Sequence, residues 1–151
     1  MASIEEEIKQ RTFRNLRHKS LVNVIFTGNW VTALHSRFLK EFGISEQQFN
    51  ILRILRGQHP KPASIVLLKE RMLDKMSDVS RLVERLRTAG LLERTPNTTD
   101  RRSVDVTITA QGLALLHAID QRSEEVDAMI STLSDEELLQ LNYLLDKIRS
   151  K

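Results

Sequence analysis

Arg81 and Arg85 stand one helical turn apart in the stretch Ser77-Asp78-Val79-Ser80-Arg81-Leu82-Val83-Glu84-Arg85-Leu86, a spacing that puts both guanidinium groups on one face of a helix. A guanidinium can bond a guanine edge bidentately or brace a phosphate, Ser77 and Ser80 are short enough to reach either, and a helix N-terminus itself attracts phosphate. Asp78 at the front of this helix has two readings: it accepts from cytosine N4, or it answers the positive end of the helix dipole. A second basic feature, Asp100-Arg101-Arg102, lies in the loop Pro96–Arg102. An arm tipped with Arg101 and Arg102 suits the narrow, electronegative minor groove, and Asp100 is placed to pair with one guanidinium and fix its direction. Lys75 and Arg94 flank these two features and complete the candidate nucleic-acid set, Lys75, Ser77, Asp78, Ser80, Arg81, Arg85, Arg94, Asp100, Arg101 and Arg102.

Catalytic chemistry finds little to work with. Cysteine is absent, which removes thiolate nucleophiles, thiol redox switches, disulfides and cysteine zinc fingers. His18, His35, His59 and His117 lie far apart with no metal-ligand spacing. There is no HExxH, no GxSxG and no glycine-rich phosphate loop, and the carboxylates fall on helix faces or caps. The expectation is a protein that is not an enzyme and has no metal and no cofactor.

The elements that position the arginines follow from periodicity. With 151 residues, 5 Gly, 3 Pro and 5% aromatic residues, the chain favours long helices in one domain over a many-stranded barrel or sandwich. Leu21, Val24, Ile25, Val31, Leu34, Phe38 and Phe42 recur at helical spacing up to Gly43. Ser45 heads a second helix that closes at Gly57 and Pro60, and a third is expected over Ala63 to Leu73 with Ile65, Leu68 and Met72 inward. In the arginine helix, Ser77 is placed as N-cap and Gly90 as C-terminal stop, and Val79, Leu82, Val83 and Leu86 form an apolar stripe.

Beyond Gly90 the period changes to two. Val104, Val106 and Ile108 alternate with polar residues, and Leu91 to Thr95 is the partner strand of a hairpin with a flexible, basic-tipped loop. Thr109 then caps one helix running to Ile130, and Ser134-Asp135-Glu136-Glu137 opens the last with a capping box.

Charge divides along the chain. Residues 1–60 carry nine basic and five acidic side chains, residues 61–109 ten and seven, and residues 110–151 four and eight. The first two thirds can meet a polyanion, and the acidic last third must face away from it. The start lacks a basic segment leading into an apolar run, and Leu21 to Phe42 is interrupted by Asn23, Asn29, Arg37 and Lys40, so no signal peptide or membrane span is expected and a cytoplasmic location is.

Helix, helix, short helix, capped basic-faced helix, hairpin is the order of a winged helix-turn-helix. Ser77 to Leu86, Gly90-Leu91-Leu92-Glu93-Arg94, Asp100-Arg101-Arg102 and Ile108-Thr109-Ala110-Gln111-Gly112 together resemble the MarR family of bacterial transcription regulators. The family's wing signature, an Asp, any residue, an Arg, five residues and Leu-Thr, is met by Asp100, Arg102, Ile108 and Thr109 with one conservative change.

The resemblance implies a mainly α chain with a small β-hairpin wing. The winged helix-turn-helix lobe would span about 45–108, between dimerisation helices at about 4–42 and 110–150, all in one domain of residues 1–151. It implies a homodimeric repressor on a pseudo-palindromic double-stranded operator, with Arg102 in the minor groove and Ser77, Ser80 and Arg81 against the major groove. It also implies release by a small aromatic ligand held between the terminal helices and the lobe, where Trp30, His35 and Met72 are candidates for either the crevice or plain core. The leucine-rich terminal helices either meet a second copy or pack within one subunit. A helical protein-interaction module whose winged helix does not bind DNA is the alternative from a different class.

Overall fold

In the computed structural model, which describes residues 2–100 and 102–150, a short helix α1 (Ile4–Glu7) precedes the long α2 (Leu16–Lys40) and α3 (Glu46–Gln58). A two-residue strand β1 (Ala63–Ser64) leads into α4 (Ile65–Arg71) and α5 (Val79–Thr88), and the wing follows as β2 (Leu92–Pro96) and β3 (Val104–Ile108). The chain closes with α6 (Ala110–Asp120), α7 (Ser123–Asp127), a 3₁₀ turn (Ala128–Ile130) and α8 (Asp135–Arg149). The expected mainly α chain with a small β wing is therefore the fold: α3, α4 and α5 with the wing make a winged helix-turn-helix.

The core forms where these elements cross. Ile51, Leu52 and Leu55 of α3 pack with Leu68, Val83 and Leu86 and with Leu92 and Val106 of the sheet, and Leu39 and Leu116 enter from α2 and α6. The apolar stripe of α5 holds in Val79, Val83 and Leu86, while Leu82 is only half-buried. Gly90 adopts φ +74, and the Leu91 N–H reaches the Leu86 carbonyl at 3.0 Å while the Gly90 N–H reaches Arg87 at 2.9 Å. This double bond pattern requires the left-handed conformation glycine adopts at no steric cost, and it is what ends α5.

The details differ from expectation at three places. Ala63 and Ser64 do not begin the third helix. They pair with Val106 and Asp105 as a third antiparallel strand, giving sheet order β1-β3-β2, because Ala63 buries against the sheet and Ser64 is free to cap α4 through the Leu67 N–H at 3.1 Å. Asp78, not Ser77, caps α5, its Oδ1 accepting the Arg81 N–H at 3.1 Å. The helix expected from Thr109 to Ile130 breaks after Asp120, where Arg122 leaves helical geometry (φ −114, ψ 22). Its guanidinium instead joins Glu41 at 2.7 Å and Glu125, above the rings of Phe38 and Phe42. At the N-terminus, α2 starts at Leu16 under an Asn15 cap, and residues 8–15 separate it from α1, both helices lying within the expected span of about 4–42.

The two terminal helices are poorly covered. No residue of α8 is buried, and Leu139, Leu141, Tyr143, Leu144 and Ile148 are exposed. On α2 only Phe38 and Leu39 are buried, leaving Leu21, Val24, Ile25 and Trp30 open.

Candidate nucleic-acid interface

The outward face of α5 presents Ser80, Arg81 and Arg85, all exposed. Arg81 and Arg85 border a shallow concavity of about 210 Å³ with Gln47, Asp78 and Leu82. The next two arginines along the chain are treated differently. The Glu84 carboxylate takes Arg87 at 2.6 Å and Arg94 of β2 at 3.2 Å. This hub ties the wing to α5, and the same two guanidinium groups, Arg87 first, hold the Glu84 carboxyl below the usual carboxylate range. Arg94 thus braces the wing root, while among the described residues no carboxylate lies within salt-bridge distance of Arg81, Arg85 or Arg102.

The start of α5 is equally specific. The hydroxyl of Ser77 is buried beside Asp74, so it turns inward from the surface the sequence suggested for it. Lys75 Nζ folds back to donate to the Glu70 carbonyl at 2.5 Å. Asp78 is exposed and caps the helix through Oδ1, the helix-end contact among its two readings.

The wing loop is tied by side chains rather than left slack. Asn97 Oδ1 accepts the N–H groups of Thr99 at 2.8 Å and Asp100 at 2.7 Å, and its Nδ2 donates to Asp105 at 3.0 Å. Asp100 accepts the Arg102 N–H at 3.0 Å and the Ser103 hydroxyl at 2.9 Å, which hold its carboxyl below the ordinary aspartate range. Among the described residues Asp100 bonds the backbone of Arg102 and not its guanidinium, because an aspartate two residues before an amide closes a local turn. Arg102 is exposed at the tip, and Arg101 lies outside the described residues. Glu84 and Asn97 escaped the sequence reading. The Asn-x-x-Asp spacing of the loop was the available signal for Asn97, and for Glu84 the i,i+3 spacing to Arg87 was the local signal, while nothing local marked its bond to Arg94.

A second concavity, about 400 Å³, opens between α3, α6 and α7. His35, Glu46, Phe49, Asn50 and Arg53 line it, with His35 Nδ1 3.4 Å from Glu46. Of the three residues suggested for a ligand crevice only His35 lies here. Met72 is core at 2% exposure, fixed by its place at the end of α4, and Trp30 is half-exposed on α2. Asn50 is 5% exposed, its Oδ1 accepts the Leu73 N–H at 2.8 Å, and its Nδ2 has no partner among the described residues. Glu46, Phe49 and Arg53 were missed because nothing along the chain marks them as facing α6 and α7. Among the described residues no His, Asp and Glu gather as a metal site, and no helix is long and apolar enough to cross a membrane.

Comparison with known proteins places this arrangement. The sequence model of the MarR family matches residues 44–104. The HTH-type transcriptional regulator PecS of Dickeya dadantii (strain 3937) is 33% identical over 134 residues, spanning 83% of this chain and 79% of PecS. The multiple antibiotic resistance protein MarR of Salmonella typhimurium is 30% identical over 117 residues, spanning 76% of this chain and 80% of that protein. The fold matches the crystal structure of mutant MarR C80S from E. coli complexed with operator DNA, with a TM-score of 0.76 at 24% identity over 99% of this chain and 100% of that one.

Proposed function

This chain belongs to the MarR family of DNA-binding transcription regulators, and we propose that it acts as a homodimeric repressor that grips a pseudo-palindromic operator and lets go when a small molecule binds. One observation carries the DNA-binding reading. Glu84 pairs with Arg87 and Arg94, whereas Arg81, Arg85 and Arg102 stand exposed with no carboxylate within salt-bridge distance among the described residues. Unpaired guanidinium groups on the exposed face of a recognition helix and at a wing tip are what phosphate and base-edge contact requires. Ser80 shares the helix face, and Arg101 belongs to the same tip by sequence. Arg94 and Asp100 act by holding the wing in place.

A second copy of the chain is the partner that the terminal helices ask for. Soluble monomers rarely leave a large contiguous apolar surface open, and α2 and α8 expose Leu21, Val24 and Ile25 together with Leu139, Tyr143 and Ile148. Two lobes related by a two-fold axis would then read half-sites about 10 bp apart, centre to centre. The cavity beside Asn50 supports the ligand-release reading. Its volume of about 400 Å³ is within the usual range for a small molecule, and Asn50 holds Leu73 at the start of the turn into α5.

Titration of the protein against duplex DNA by fluorescence anisotropy, with sedimentation for stoichiometry, tests the reading. With about 6–10 phosphate contacts the binding constant falls by about 10³–10⁵ between 50 and 200 mM salt. Two chains bind each site. Absence of saturable duplex binding would overturn the proposal in favour of a protein-interaction module, and one chain per site would overturn the dimer.

A further inference from the structure

Met76 is 92% exposed in the turn between α4 and α5, immediately before the Ser77-Asp78 entry to the recognition helix. The turn is tightly made. Asp74 accepts the Met76 N–H at 2.9 Å through its carboxylate, and the Ser77 N–H at 3.3 Å through its carbonyl. Lys75 is folded back onto Glu70, and the Ser77 hydroxyl is buried. Of the side chains from Asp74 to Ser77, the thioether of Met76 is the one left to project freely. It does so three residues before α5, whose exposed surface carries Arg81 and Arg85.

A polyanion draws such a surface to itself, and an apolar side chain presented there needs an apolar atom on that polyanion. The major groove offers one kind, the C5 methyl group of thymine. Methionine suits the contact, being unbranched and polarizable, and the bonds to Asp74 fix the backbone that carries it. We propose that Met76 is a specificity-determining residue that selects thymine within each half-site by packing on its methyl group. The inference rests on the operator-binding reading above and adds a base preference to it.

A double-mutant cycle between protein and DNA tests it. The wild type and Met76→Ala are titrated against the operator recovered by selection, and against the same duplex with each thymine in turn replaced by deoxyuridine, which removes only the methyl group. Burial of one methyl predicts that one deoxyuridine position per half-site weakens the wild type by about fourfold. Met76→Ala, equally folded by circular dichroism because the side chain is exposed, binds the thymine and deoxyuridine duplexes at that position alike, and Met76→Leu keeps the discrimination. Equal losses for wild type and Met76→Ala at every position, or a selected half-site without thymine, would overturn the role of Met76 while leaving operator binding intact. Failure of the wild type to bind any duplex would instead overturn the operator reading, and this inference with it.

Discussion

Replacing Arg102 by alanine removes one cation from the tip of each wing and leaves the wing itself in place. The bond that Arg102 gives to Asp100 comes from its backbone N–H, which alanine retains, and the Asn97 and Ser103 bonds that shape the loop do not involve the guanidinium. The loss is therefore one of contact, and its salt dependence can be worked out in advance. A dimer loses two ionic contacts, so the slope of log K on log salt becomes shallower by about 1.8. Over a fourfold rise in salt, from about 50 to 200 mM, the defect of the variant shrinks about twelvefold. Anisotropy titrations of wild type and Arg102→Ala on one duplex at several salt concentrations give both slopes. Parallel lines would show that the wing tip makes no ionic contact with DNA, and an altered melting temperature would show that the side chain is structural.

Gly112→Ala is destabilising although alanine is the better helix former by about 1 kcal/mol. A Cβ there would press on the Leu91 carbonyl oxygen and come within 2.7 Å of Ile108; because the first of these is backbone, the overpacking lies toward the upper part of the ~1–3 kcal/mol range, about 1–2 kcal/mol remains after the helix gain, and the melting temperature falls by about 2–8 °C at matched protein concentration. An unchanged or raised value would contradict the tight seam between α6 and the wing. Because the Asp100 carboxyl is held low by the Arg102 N–H and the Ser103 hydroxyl, the wing-tip turn persists as pH falls through the ordinary aspartate range and is lost only below it. The Arg102 amide shift followed by NMR against pH should show that low midpoint, and a midpoint at the ordinary value would contradict the bonding. Truncation before Ser134 removes α8 with its exposed Leu139, Tyr143 and Ile148, and is expected to yield a monomer by sedimentation; a product that still dimerises would remove α8 from the interface.

The parts legible in the sequence were those governed by local rules. The stripe of Val79, Val83 and Leu86, the stop at Gly90 and the capping box at Ser134 each depend on residues within a few positions, and each appears in the structure as read. What escaped depends on distant partners. Ala63 and Ser64 become a strand only because Val106 and Asp105 lie beside them, and the helix after Thr109 breaks at Arg122, whose guanidinium is held by Glu41, 81 residues earlier. Candidate interface residues were legible as types without their allegiances. Arg85 and Arg94 look alike in one dimension, and Glu84 decides which of them remains unpaired. The ligand crevice was the least legible part, since Met72 and Asn50 are both inward residues and only the three-dimensional packing shows that one fills the core while the other lines a cavity.

Selection of bound duplexes from a random-sequence library tests the central claim most directly, because binding, symmetry and spacing are read together. The account predicts enrichment of an inverted repeat whose half-sites lie about one helical turn, roughly 10 bp, apart. Recovery of no sequence above background, or of a single unrepeated site bound by one chain, would contradict it.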